Sequence, residues 1–114
     1  MKIYKIDDQI VFSDKDLSVG TELIANTTDG AHEKHVPVIT ISGDEVKVAV
    51  GSVTHPSLPA HYIEFILLET NLGIHTRWLK PGDVPSATFI LSSGETVLSA
   101  YEYCNLHGLW KADA

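Results

Sequence analysis

The sequence predicts an all-β protein, a β-sandwich of short antiparallel strands, and three observations carry that prediction. Residues 45–50 alternate polar and apolar side chains, as expected of a strand with one buried face. Residues 61–70 form a longer run rich in Tyr, Ile, Phe and Leu, which is typical of a strand buried on both faces toward its end. Turn-forming clusters of Gly, Ser, Asn and Asp recur at the short intervals found in sandwiches.

The first thirty residues have weaker patterns. Residues 2–12 predict a small hairpin or a paired edge strand around Asp7-Asp8-Gln9, and residues 13–20 are polar and turn-like. Residues 21–30 predict a loop, because Asn26-Thr27-Thr28-Asp29-Gly30 has turn chemistry. No long helical period occurs in this front third.

Strands dominate the rest of the chain. The strand that contains Pro37 tolerates it because a missing backbone donor is acceptable near a strand start. A loop with Pro56 and Pro59 interrupts the series before residue 61. The predicted strands cover residues 36–41, 45–50, 61–70, 74–79, 86–91 and 96–103.

Length and composition narrow the class of protein. A chain of 114 residues is expected to form one domain with a single core. The formal net charge of −7 argues against nucleic-acid binding, which needs a basic surface. No apolar run reaches bilayer length, and the charged N-terminal residues do not resemble a secretory signal. A single cysteine allows no internal disulfide, so we expect a protein of the reducing cytoplasm.

A set of five metal-ligand side chains lies at predicted strand ends and in loops. Taken singly, each histidine is more commonly a surface residue, and a lone buried cysteine is more commonly a small hydrophobe. Taken together, they are borderline or soft ligands of the kind that bind iron, copper or zinc. Structural zinc sites usually close with four ligands, whereas five leave one octahedral position open for a small molecule. The five residues are His35, His55, His61, Cys104 and His107, while His32 and His75 are predicted to be surface residues.

Several motifs around these ligands form one specific set. They are Glu33-Lys34-His35-Val36-Pro37, Gly51-Ser52-Val53-x-His55-Pro56, His61-Tyr62-Ile63-Glu64, Lys80-Pro81-Gly82-Asp83 and the stretch from Tyr101 to Lys111. Over about residues 22–111 the chain resembles the superoxide reductase family, which includes desulfoferrodoxin and neelaredoxin. The resemblance implies an immunoglobulin-like sandwich of seven strands. It also implies one mononuclear iron per chain, with the four histidines in a plane and the Cys104 thiolate axial.

The front segment departs from the family pattern. Desulfoferrodoxins carry an N-terminal module in which four cysteines bind a second iron, and residues 4–11 resemble its first hairpin with every cysteine missing. We therefore expect no second iron. The expected division is an N-terminal extension at residues 1–30, a remnant of that module without metal ligands, and an iron-binding catalytic β-sandwich domain at residues 31–114.

The resemblance also implies the activity and its partners. Superoxide is expected to be reduced by one electron to hydrogen peroxide, as the iron cycles between Fe²⁺ and Fe³⁺. Lys34 is expected to attract the anion locally on an acidic protein, and Glu33 to occupy the sixth position once the iron is ferric. The family further implies a rubredoxin-like electron donor and a homo-oligomer, a dimer or a tetramer. We expect no nucleic-acid or membrane partner.

A copper electron carrier of the cupredoxin type is the alternative, because such proteins are also β-sandwiches with a Cys-x-x-His ligand pair. Three features count against it. The only methionine is Met1, no export signal is seen, and the pair His55 and His61 would be unused. A structural zinc domain is a third, weaker hypothesis.

Overall fold

The computed structural model describes every residue from Met1 to Ala114. It contains ten strands and one short helix. In chain order these are β1 (Lys2–Ile6), β2 (Gln9–Ser13), β3 (Thr21–Glu22), α1 (His32–His35), β4 (Pro37–Ser42), β5 (Glu45–Val50), β6 (Ile63–Thr70), β7 (Gly73–Trp78), β8 (Ser86–Ile90), β9 (Val97–Cys104) and β10 (Gly108–Asp113).

Seven of these strands form the predicted sandwich. One sheet has the order β10-β9-β6-β7, the other has the order β4-β5-β8, and all pairings are antiparallel. The alternating valines of β5 face the core between the sheets, where Val46 and Val48 pack with Ile66 and Leu68 of β6. This arrangement confirms both the all-β class and the seven-stranded, immunoglobulin-like architecture.

The first three strands form a small additional sheet of order β2-β1-β3. Its residue Ile3 packs with Phe65 and Leu67 of β6, together with Tyr103 of β9. Because neighbouring residues of a strand point to opposite faces, this second core lies on the outer face of the four-stranded sheet. The long strands β6 and β9 are therefore buried on both faces.

Three elements differ from the sequence predictions. The two-residue strand β3 lies in residues 21–30, which were predicted to form a loop, and such a short edge strand leaves no alternating pattern in the sequence. The strand β10 was not predicted, because its buried residues Leu109 and Trp110 are adjacent rather than alternating. His35 was expected to open a strand, but it ends α1, a single helical turn that is too short to show a helical period. No helix in the structure is both long enough and apolar enough to cross a membrane.

Candidate metal centre

All five predicted ligands lie at the same end of the sandwich. His35 ends α1 directly before β4, while His55 and His61 lie in the connection between β5 and β6. Cys104 is the last residue of β9, and His107 lies in the turn that leads to β10. Antiparallel pairing aligns these positions, since the end of β9 lies opposite both the start of β6 and the start of β10.

The ligand atoms of these residues converge on one point. Those of His35, His55, His61 and Cys104 all lie within 4.8 Å of one another. The fifth residue, His107, places its Nδ1 at 3.1 Å from Nε2 of His35 and at 3.7 Å from Sγ of Cys104. The structure thus brings together the whole set that the sequence indicated.

The four imidazoles form a ring that we call the histidine square: His35, His55, His61 and His107. Going round the square in that order, neighbouring ring centroids are 4.8, 4.6, 5.1 and 4.8 Å apart. The centroids of His35 and His61 are 6.5 Å apart, as a diagonal pair should be. Cys104 is fully buried, and its Sγ lies 3.5 Å from Nε2 of His55.

Hydrogen bonds to the backbone orient the imidazoles. Nδ1 of His35 donates to the carbonyl of Ala31 at 2.8 Å, and Nδ1 of His55 donates to the carbonyl of Pro56 at 2.7 Å. Because a carbonyl only accepts, Nδ1 carries the proton in both neutral rings and Nε2 turns a lone pair toward the centre. This outer hydrogen bond is the usual way in which a protein orients a metal-binding histidine.

One buried nitrogen lacks a partner within the chain. Nε2 of His61 is buried and makes no hydrogen bond. A buried polar atom is normally satisfied, so this nitrogen indicates a ligand at the centre of the square. Four imidazole nitrogens and one sulfur suit a borderline transition metal such as iron, and the chain's residues therefore fit a mononuclear iron.

Burial sets the charge of the ligands. It lowers the pKa of His35 and His61, and it lowers the pKa of His55 to about 4, so these rings are neutral near pH 7. Burial raises the pKa of Cys104, while the backbone N–H groups of Leu106 and His107 face the sulfur and oppose that rise. The neutral imidazoles are already in the form that binds a metal cation, whereas the Cys104 thiol must lose its proton when the metal binds.

The helical turn α1, which carries Glu33 and Lys34, borders the square, and both side chains are exposed. The Lys34 ammonium adds to the effect of burial in lowering the pKa of His61. The turn after β5 holds α1 in place, since the backbone N–H of Val53 donates to the carbonyl of Glu33 at 2.8 Å. A Cβ at Gly51 would lie 2.7 Å from that carbonyl oxygen, so only glycine allows this close approach.

Comparison with known proteins identifies the family. A family model described as Desulfoferrodoxin matches residues 27–113, well over half of the chain. The chain belongs to the desulfoferrodoxin family. This assignment leaves the copper-carrier alternative without support, and it agrees with the resemblance seen in the sequence.

Individual relatives of this desulfoferrodoxin-family chain agree with the assignment. It is 48% identical to a desulfoferrodoxin of Clostridium acetobutylicum over 102 residues, which cover 86% of this chain and 79% of that protein. It is 51% identical to a desulfoferrodoxin of Nitratidesulfovibrio vulgaris over 88 residues, covering 77% and 68% of the two chains. The crystal structure of the superoxide reductase from Treponema pallidum is similar over 99% of both chains, with a TM-score of 0.88 and 37% identity.

Sequence reasoning missed three residues beside the centre. Glu102 is fully buried with both carboxylate oxygens unpartnered, and burial raises its pKa to about 9. Trp110 is fully buried and stacks on His35, with ring centroids 5.0 Å apart. Thr28 donates a hydrogen bond from its hydroxyl to the carbonyl of His107. Alternate residues of β9 point to the same face, so Glu102 shares a face with Cys104. This alternation is the one feature of the sequence that could have indicated Glu102.

The two remaining histidines have different surroundings. His32 is exposed, as predicted. His75 was also expected at the surface, but it is half-buried and its Nε2 lies 2.8 Å from a carboxylate oxygen of Glu95. The pairing of His75 with Glu95 was not predicted, because β7 and the loop after β8 come together only in the folded protein.

Proposed function

We propose that this protein is a superoxide reductase, which converts superoxide into hydrogen peroxide at one mononuclear iron per chain. The observation that carries the proposal is the histidine square, whose nitrogens face one point beside the buried Cys104 sulfur. His35, His55, His61 and His107 would hold the iron through their imidazole nitrogens, and Cys104 would hold it through its thiolate sulfur. When bound, iron supplies the electron and an open position for superoxide.

The residues around the centre prepare it for this reaction. Burial keeps the imidazoles of His35, His55 and His61 neutral near pH 7, and Cys104 would be the anionic thiolate ligand that donates electron density to a bound iron. Superoxide takes up one electron and two protons and leaves as hydrogen peroxide. The protons come from water, which can approach the square because His61 and His107 are only half-buried.

Lys34 and Glu33 are proposed to act on the substrate side. An ammonium at this position attracts an anion locally, which offsets the repulsion expected from a net charge of −7. It can also hold water for proton delivery. Glu33 lies next to Lys34 in α1 and is also exposed, and we propose that its carboxylate would be a further ligand of oxidised iron.

The wider setting of the reaction is also a proposal. Each turnover consumes one electron, and a small rubredoxin-like carrier is a suitable donor because the centre lies at the end of the sandwich. We propose a homo-oligomer, either a dimer or a tetramer, in the cytoplasm. We further propose that residues 1–30 are an extension without metal ligands and that residues 31–114 are the iron-binding domain, a division supported by the separate N-terminal sheet.

Iron loading followed by mixing with superoxide tests this proposal. The protein is loaded with ferrous iron without oxygen, its metal content is measured, and superoxide is then generated by pulse radiolysis. We expect one iron per chain and a fast second-order reaction. The variant His61→Ala should lose iron and rate, whereas His32→Ala, which removes an exposed histidine, should retain both.

The ligand sulfur has its own signature. Oxidised iron bound to a thiolate has a visible charge-transfer band, which Cys104→Ser should abolish. A parent protein that takes up no iron, or a His61→Ala variant that behaves like the parent, would contradict the proposed centre. A band retained in Cys104→Ser would mean that another residue supplies the axial ligand.

A further inference from the structure

A short segment before α1 is bound to the edge of the four-stranded sheet. We call residues 26–28 the strap. The backbone N–H of Asn26 donates to the carbonyl of Leu109 at 3.0 Å. Its side-chain amide then pairs with the backbone of Lys111, accepting from the N–H at 2.9 Å and donating to the carbonyl at 3.2 Å. Asn26 has a positive φ of 63°, a conformation in which Asn is enriched.

The strap ends on the backbone of a proposed ligand. The hydroxyl of Thr28 donates to the carbonyl oxygen of His107. The indole Nε1 of Trp110 donates to the same oxygen at 3.0 Å. This carbonyl therefore has both of its lone pairs engaged, while the N–H of the same residue faces the Cys104 sulfur.

Trp110 connects this anchor to a second proposed ligand. Its ring stacks on His35 at an interplanar angle of 27°, and a Cβ on Gly30 would lie 3.0 Å from the indole and 3.3 Å from the imidazole. The indole, the imidazole and the backbone at Gly30 are thus in close contact. Trp110 therefore contacts both His35 and His107, which are neighbours in the histidine square.

The backbone of His107 determines where its proposed ligand atom lies. It presents Nδ1, whereas His35 presents Nε2. Nδ1 is bonded directly to Cγ and so lies nearer the main chain than Nε2 does. A displacement of the backbone at His107 therefore moves the ligand atom with little chance of compensation by the side chain.

We infer that the strap is a positioning element of the iron centre, in which Thr28 and Trp110 hold His107 through its carbonyl oxygen. The inference rests on the proposed function, because it assumes that His107 binds iron. Both residues act through another residue, so they are positioning residues and not catalytic ones. Removing an outer hydrogen bond of a metal ligand commonly weakens metal binding about 10- to 100-fold. The hydrogen bond from Thr28 is exposed, and it reaches the backbone of His107 and not its imidazole. We therefore expect a smaller loss of iron affinity, about threefold to tenfold.

The test compares three substitutions in the strap of the iron-loaded protein. Thr28→Val keeps the shape but removes the hydroxyl, and Thr28→Ser keeps the hydroxyl. Thr27→Val is the matched control, since that hydroxyl bonds to the carbonyl of Ile24 at 2.7 Å and not to a proposed ligand. The measurements are the rate at which a ferrous chelator removes iron, the energy of the thiolate-to-iron band and the melting temperature of the metal-free protein.

The expected result is faster iron loss and a shifted band in Thr28→Val only, with Thr28→Ser and Thr27→Val close to the parent. Trp110→Phe, which retains an aromatic ring but no N–H donor, should act in the same direction. If Thr28→Val and Trp110→Phe both release iron at the parent's rate, the inference is wrong while the iron centre stands. If the parent takes up no iron at all, the proposed function fails and the inference fails with it.

Discussion

Lys34 places a positive charge beside the histidine square on an otherwise acidic molecule. Local attraction by such a charge raises the association rate of a small anion, and salt weakens the effect. We expect Lys34→Ala to lower the second-order rate with superoxide about threefold or more and to flatten its dependence on ionic strength. Pulse radiolysis of the iron-loaded protein measures both quantities.

Lys47 provides the control for this effect. It is an exposed lysine in the middle of β5, away from the end of the sandwich that carries the ligands. Lys47→Ala changes the net charge by the same amount as Lys34→Ala, so it should leave the rate almost unchanged. Equal effects from the two substitutions would mean that total charge, and not the position of Lys34, controls the encounter.

Glu95 gives the fold a dependence on pH that is independent of the metal centre. Hydrogen bonds from the Thr70 hydroxyl, the Ser92 backbone and His75 lower its pKa to about 2, from an ordinary value of 4.5. A carboxyl with a lowered folded pKa stabilises the fold above its ordinary pKa, and the contribution is lost as the pH falls. The loss should therefore occur between about pH 4.5 and pH 2.

The variant Glu95→Gln tests this window in the metal-free protein. It should melt below the parent at pH 7, and the difference in melting temperature should shrink as the pH falls through the window. Glu45→Gln, which changes an exposed carboxylate at the start of β5, should show no such convergence. A constant difference between Glu95→Gln and the parent across the window would contradict the assignment.

At the scale of elements, the turn after β5 positions α1, the helical turn that carries Lys34. A Cβ at Gly51 would meet the Glu33 carbonyl oxygen at 2.7 Å and the Val36 carbonyl oxygen at 3.1 Å. Gly51→Ala should therefore displace α1 and with it Lys34. We expect the rate of the reaction with superoxide to fall several-fold and to lose much of its dependence on salt. The measurement is the same pulse radiolysis series, with the melting temperature recorded in parallel.

Gly43→Ala is the control that separates the effect of a displaced α1 from the effect of a less stable fold. Gly43 lies in the turn between β4 and β5 with φ at 61°, and an added Cβ would meet nothing within 4 Å. The substitution strains the backbone by about 1 kcal/mol but leaves the centre untouched. It should lower the melting temperature without slowing the reaction. If Gly51→Ala and Gly43→Ala slow the reaction equally, the lower rate reflects lower stability and not the position of α1.

The strands illustrate what sequence pattern can predict. The alternation in residues 45–50 predicted β5 with its observed bounds, because one face of that strand is buried and the other is polar. The bounds of β6 were less accurate: residues 61 and 62 were included, although the strand begins at Ile63. A register shift between Ile63 and Phe65 marks a bulge there, and local pattern does not reveal such a feature.

The residue types of the candidate site could be predicted from the sequence, but the contacts that hold those residues in place could not. The candidate ligand set could be proposed from the sequence, because the spacing of the four histidines and Cys104 at strand ends and in loops resembles the motifs of one family. The roles of Thr28 and Trp110 could not be predicted, since both act through the backbone carbonyl of His107. Contacts of that kind depend on how the strap lies along β10, and β10 itself has no clear strand pattern.

At the scale of the whole molecule, the N-terminal sheet and the sandwich share a core. Ile3 is 2% exposed and packs among residues of the four-stranded sheet. Ile3→Ala should therefore lower the free energy of unfolding by about 2 to 5 kcal/mol, and all probes should report one transition. Urea unfolding followed by circular dichroism and tryptophan fluorescence measures both.

Ile24→Ala is the matched control, because Ile24 is 57% exposed and its truncation should cost within about 0.5 kcal/mol. The two tryptophans allow a further check. Trp78 stacks on Phe12 of the N-terminal sheet, whereas Trp110 reports on the metal centre. Unfolding of Ile3→Ala in two separate steps would mean that the N-terminal sheet folds independently of the sandwich.

The ratio of hydrogen peroxide formed to superoxide consumed tests the central claim most directly. The measurement supplies superoxide in several-fold excess over the protein, together with an electron donor that returns the iron to the ferrous state, and dioxygen is followed at the same time. A reductase yields one hydrogen peroxide for each superoxide and no dioxygen, and this is the result we predict. A ratio of one half with release of dioxygen would mean dismutation, and no peroxide above the metal-free control would mean that the histidine square does not perform this reaction.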